Sequence, residues 1–111
     1  MRRGDLVTIA VNGDYGKPRP ALLIQADPFA DLPSVTLLRL TSEIVPAPLT
    51  RLTVSPTRES GLRAVSQIMI DKAMTVPREK VGAVFGHLDD TMMRAVGRAL
   101  VAFLGLEDVT P

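Results

Sequence analysis

Two short segments near the start of the chain set a charged cluster directly before an apolar run. They are Arg3-Gly4-Asp5-Leu6-Val7 and Lys17-Pro18-Arg19-Pro20-Ala21-Leu22-Leu23-Ile24. Arg19 lies between two prolines, and Pro20 drives it towards an extended backbone. An arginine held in this way loses less conformational entropy on gripping an anion than one on a free loop. The same placement also suits a solvated residue at a strand start. Other chemistries fall away by elimination. There is no cysteine and one histidine, His87, so neither a disulfide framework nor a zinc site of the usual His/Cys kind can be built. The Asp89-Asp90 doublet is explained by a helix N-terminus without a metal. Gly4, Gly13 and Gly16 form neither a phosphate-loop nor a dinucleotide fingerprint. His87, between Gly86 and Leu88 at a helix entrance, is expected to be structural or capping, which removes the usual general base. What remains is arginine, threonine and aspartate.

These residues must be positioned by short strands. Residues 5–11 are β-branched and apolar and stop at Asn12-Gly13-Asp14, which predicts a first strand. Residues 20–26 predict a second, apolar on both faces and therefore central. After turn chemistry from Asp27 to Pro33, residues 34–41 predict a third strand ending in Thr41. Pro46 and Pro48 mark a loop, because proline cannot donate to a ladder. Residues 49–54 alternate as a half-exposed strand, residues 65–70 form a fifth, and Ala73 to Val76 add a short sixth. The period then changes. Met92, Met93, Val96, Ala99, Leu100, Phe103 and Leu104 recur at helical spacing, with Asp89 as N-cap and Gly105 as stop. Many strands followed by one helix predict a mainly β (β-rich α+β) domain, a small curled antiparallel sheet with a helix packed on it.

At 111 residues the chain suits one domain, residues 1–111, with a single core. Apolar residues make up 46% of it and aromatics only 4%, so that core is aliphatic. No apolar run approaches the ~20 residues that span a bilayer. The start of the chain lacks the uninterrupted apolar stretch of a secretory signal, so a cytoplasmic protein is expected. A formal net charge of +1 excludes coating of nucleic acid by bulk charge, but not the gripping of a short RNA in one groove, where only the local field matters.

Taken in order, Arg3-Gly4-Asp5, Arg19-Pro20 before Ala21-Leu22-Leu23-Ile24, Thr41-Ser42, and His87-Leu88-Asp89-Asp90-Thr91-Met92-Met93 resemble the MazF/PemK (CcdB/Kid-like) family of toxin ribonucleases. The match covers nearly the whole chain. It implies an SH3-like barrel with a C-terminal helix, working as a metal-independent, sequence-selective endoribonuclease without cofactor. The implied partners are single-stranded RNA, a cognate antitoxin and a second copy of the chain. By position, the family's catalytic pair falls on Arg19 and Thr41, and its carboxylate on Asp71, placed after the fifth strand. Lys17, Ser42, Arg39 and Arg51 are the candidates for RNA contact, with solvation of exposed strand faces the alternative for the arginines. Asp71-Lys72 also reads as a surface turn pair, and Thr41-Ser42 as a strand end capping its own turn.

The chain departs from the family's pattern twice. The first loop, Asn12 to Pro18, is short and lacks the Glu-Gln-x-Gly segment, leaving Asp14 as its carboxylate. Met69 stands where some members have an arginine. A second reading follows from the same kind of barrel: a gyrase poison resembling CcdB, or a binding-only domain. The C-terminal Gly105-Leu106-Glu107-Asp108-Val109-Thr110-Pro111 lacks the Trp-Gly-Ile ending associated with gyrase poisoning.

Overall fold

Six antiparallel strands form one sheet, in the order β4-β5-β3-β2-β1-β6. The computed structural model describes residues 1–10 and 17–107. The strands are β1 (Asp5–Ile9), β2 (Arg19–Leu23), β3 (Ser34–Thr41), β4 (Arg51–Val54), β5 (Ser66–Pro77) and β6 (Val81–His87), followed by the helix α1 (Asp90–Leu104). The expected mainly β architecture with a C-terminal helix is what the chain adopts. β2 is central, as its apolar faces predict, and β3 has the predicted bounds.

The differences lie at strand ends and in the second half. The segment read as residues 5–11 leaves the ladder after Ile9, and Val11 lies outside the described residues. β2 begins at Arg19 and ends at Leu23 rather than running to residue 26. Beyond it the Gln25 side chain replaces ladder bonds, accepting from the Thr36 N–H at 2.8 Å and donating to the Phe29 carbonyl at 2.9 Å. β4 starts at Arg51, because Thr50 and Arg51 both donate their N–H to the Ala47 carbonyl in a turn. The two strands expected over residues 65–76 are one twelve-residue strand, β5, because β3 is long enough to pair with both halves. β6 was not expected. Its two glycines lower β propensity, and it forms because β1 takes it as a partner, Asp5 opposite His87 and Ile9 opposite Val81.

Alternation along the strands separates two buried clusters. Leu6, Leu22, Leu38, Leu40, Ile68 and Ile70 point to one side, where Val96 of α1 joins them and Met92, Met93, Ala99 and Leu100 pack against them. Val7, Ile9, Ala21, Leu23, Val35, Leu37 and Val76 form the second cluster. Among the described residues, Met74 and Val81 pack against that cluster. Closure comes from the loop after β4, which returns to the far edge of the sheet: the His87 N–H donates to the Glu59 carbonyl at 2.8 Å. The approach is so close that a Cβ on Gly86 would clash with the Ser60 carbonyl oxygen. The helix is capped as its sequence predicts. Asp89 accepts from the Met92 N–H, and Gly105 takes the left-handed conformation at φ 67°. Among the described residues, no helix is long and apolar enough to cross a membrane.

Candidate active site

Arg19 shares a side of β2 with Ala21 and Leu23, and Arg39 and Thr41 share a side of β3 with Val35 and Leu37, by simple alternation. All three therefore stand on the face of the second cluster, away from the helix. In the β2–β3 ladder Ala21 lies opposite Arg39 and Leu23 opposite Leu37. The paired register ends there, and Arg19 and Thr41 each lie two residues beyond it on the same side of their strands. The candidate residues of β2 and β3 are thus neighbours at one end of the sheet.

The β3–β5 ladder supplies the next part. Leu38 lies opposite Ala73 and Leu40 opposite Ile68, so the single residue Arg39 faces the segment Met69–Lys72. A bulge of this kind bends its strand and re-aims side chains. Asp71 lies inside it, within β5 rather than after the fifth strand as expected. Its Oδ1 accepts from Arg51 Nη1 at 2.6 Å, with the two side chains 16% and 29% exposed for Arg51 and Asp71. The pair is charge-assisted and partly withdrawn from water, which strengthens it relative to a fully exposed pair. Adjacent strands β2, β3, β5 and β4 thus contribute Arg19, Arg39 with Thr41, Asp71, and Arg51 in turn.

The Thr41 hydroxyl accepts from the Glu43 N–H at 3.1 Å. A hydroxyl has one proton to give and two lone pairs, so this bond leaves the proton for another acceptor. Ser42, the next residue, lines a cleft of about 560 Å³ with Pro18, Pro20, Leu62, Arg63 and Phe85. Phe85 and Leu62 pack against the helix-side core, so the cleft opens on the other side of the sheet end. Ser42 is not gathered with Arg39 and Asp71. Lys17 is exposed just before β2, and Asp14 lies outside the described residues.

Other residues singled out in the sequence hold structure. The Asp5 carboxylate accepts from the Arg2 N–H at 2.9 Å and from His87 Nδ1 at 2.9 Å. A carboxylate only accepts, so Nδ1 carries the proton. Burial works against ionised Asp5, yet the His87 and Arg2 hydrogen bonds prevail and hold it below its ordinary value. His87 therefore ties the end of β6 to the start of β1, while Asp89 does the capping. Met92 and Met93 are core packing, as expected.

Gln67 had no assigned role in the sequence. It is buried on β5 opposite Thr41 and bonded to the loop that follows Thr41. An amide within Ser66-Gln67-Ile68-Met69-Ile70 carries no signal that separates a buried glutamine from a solvated one. Among the described residues, no three His, Asp or Glu side chains gather where they could hold a metal ion.

The fold has close counterparts. A model of the PemK-like, MazF-like toxins of type II toxin–antitoxin systems matches residues 2–104. The chain is 48% identical over 107 residues to a Mycolicibacterium smegmatis protein named "Probable endoribonuclease MazF", covering 96% of this chain and 98% of that one. Among solved structures, the Mycobacterium tuberculosis toxin MazF-mt6 superposes with a TM-score of 0.80 at 21% identity, over 93% of this chain and 98% of that one. A mycobacterial endoribonuclease in complex with its cognate antitoxin superposes with a TM-score of 0.79 at 19% identity, over 96% and 97%. With the fold, the ordered residue clusters and the family model in agreement over nearly its whole length, the chain belongs to the PemK-like, MazF-like toxin family of type II toxin–antitoxin systems.

Proposed function

We propose that this chain is a metal-independent, sequence-selective endoribonuclease that cuts single-stranded RNA, acts as a homodimer in the cytoplasm and is neutralised by a cognate antitoxin. The observation that carries this reading is the gathering of Arg19, Arg39 and Thr41 on one sheet face beside the Arg51–Asp71 pair. In the proposed reaction the ribose 2′-oxygen attacks the adjacent phosphorus, its proton passing to a carboxylate, and the 5′-oxygen leaves with a proton taken from water. The products are a 2′,3′-cyclic phosphate and a 5′-hydroxyl. Negative charge builds on the two non-bridging oxygens. The planar Arg19 guanidinium meets both with parallel hydrogen bonds that tighten in the transition state. Thr41 donates a further bond from the hydroxyl whose lone pair is already taken by Glu43.

Arginine holds its proton until pH values above ~12, so Arg19 acts as a stabiliser and not as a base. In this reading Asp71 receives the 2′-hydroxyl proton, and the hydrogen bond it accepts from Arg51 supports that role by holding the carboxylate in place. Lys17, Arg39 and Arg51 contact the RNA beside the scissile bond, and Ser42 contacts it further along, from the cleft on the other side of the sheet end. The name of the M. smegmatis relative supports RNA as substrate, and the antitoxin-bound mycobacterial structure supports the partner.

The chemistry is tested in EDTA with an oligonucleotide carrying one cut site, unmodified or with a single 2′-deoxynucleotide at that site. Cleavage of the first to a cyclic phosphate, and none of the second, is expected. Cleavage of both overturns attack by the 2′-hydroxyl.

A further inference from the structure

Gln67 is 4% exposed and lies directly opposite Thr41 in the β3–β5 ladder. Its Oε1 accepts from the Val45 N–H at 3.1 Å, and its Nε2 donates to the Val45 carbonyl at 3.1 Å and to Thr53 Oγ1 at 3.3 Å. The twin bond to Val45 fixes which way the amide points: exchanging its oxygen and nitrogen would set donor against donor and acceptor against acceptor. A buried amide is costly unless its groups are paired, and here the partner that satisfies it is a loop residue. The side chain does for Val45 what a neighbouring strand would do.

That loop follows Thr41 directly. It contains Pro46 and Pro48, which cannot donate to a ladder, and its own backbone bonds close only short turns around Ala47. Near one end of it the Glu43 N–H orients the Thr41 hydroxyl, and two residues on Val45 is gripped by Gln67. Release of Val45 frees the Glu43 amide to swing, and with it the threonine hydroxyl to rotate. We propose that Gln67 is a positioning residue which clamps the loop after β3 and thereby aims Thr41 at the scissile phosphate; this rests on the reading of Thr41 as a phosphate donor.

Amide exchange at Val45 and single-turnover cleavage of a single-site RNA in EDTA test the proposal in wild type, Gln67→Leu and Gln67→Glu. The leucine variant is expected to exchange the Val45 amide about tenfold faster. It is expected to lose at least about tenfold in kcat with little change in KM, as displacement of an oriented group does. The glutamate variant keeps the acceptor for the Val45 N–H but loses both donated bonds, so its Val45 protection and kcat should fall between the two. If Gln67→Leu does not fold, Gln67→Glu decides. Unchanged Val45 exchange, or unchanged kcat with the amide released, overturns the clamp. Absence of cleavage by wild type would instead overturn the ribonuclease reading, and the Val45 exchange would still report on the clamp.

Discussion

Arg51 on edge strand β4 donates to Asp71 inside the bulge of β5 at 2.6 Å. The bond joins two strands at the point where the β3–β5 ladder opens around Arg39. Removing Arg51 leaves the carboxylate without the group that aims it. Removing the charge of Asp71 leaves Arg51 in place but takes away the proposed proton acceptor.

Arg51→Ala is therefore expected to lower kcat of single-site cleavage about ten- to a hundredfold, since a small misplacement of a reacting group has effects of that size. Asp71→Asn is expected to lower it at least as much, while costing only about 1 kcal/mol of folding stability, the scale of a partly exposed ion pair. Urea denaturation beside the kinetics separates the two effects. A kinetic loss no larger than the stability loss would assign the pair to structure.

Asp5 makes acid stability a second point of test. Its carboxyl is held below the ordinary carboxylate value in the folded chain by His87 and the Arg2 N–H, against the opposing effect of burial. A group with a lowered folded pKa contributes its stability in full above its unfolded value, about 3.9 for aspartate. The contribution fades as pH falls through the lower folded value. Asp5→Asn should thus cost about 1–2 kcal/mol near neutral pH, and the gap to wild type should close below about pH 4. Urea midpoints from pH 7 down to pH 3 measure it. A gap that persists undiminished into acid would contradict the assignment.

Local rules account for what could be read in the sequence. The β3 bounds follow from a run of β-branched and leucine residues between turn residues, and the ends of α1 from Asp89 and Gly105, whose chemistry acts within one turn. Arg19 and Thr41 stand out in the sequence only by resemblance, and the fold puts them on the same side of adjacent strands β2 and β3. What stayed hidden depends on distant partners. β6 carries Gly82 and Gly86 and little local strand preference, and it exists because β1 and the returning loop at Glu59 complete it. The bulge at Asp71 looks like a surface turn until β3 is seen to span it. Asp5 and His87 are 82 residues apart in sequence. The Gln67 amide meets Val45 across 22 residues, so its role is visible only in the fold.

The most direct measurement is incubation of one long single-stranded RNA in EDTA with wild type and with Arg19→Ala, followed by mapping of the fragment ends. The account predicts discrete fragments ending in cyclic phosphate from wild type. It predicts at least about a hundredfold less cleavage from the variant, which lacks the guanidinium that meets the transition-state charge. Cleavage by a folded Arg19→Ala protein at the wild-type rate would contradict the assignment of this sheet face as the catalytic site. No cleavage by either folded protein would contradict the ribonuclease reading itself and favour the gyrase-poison or binding-only alternative.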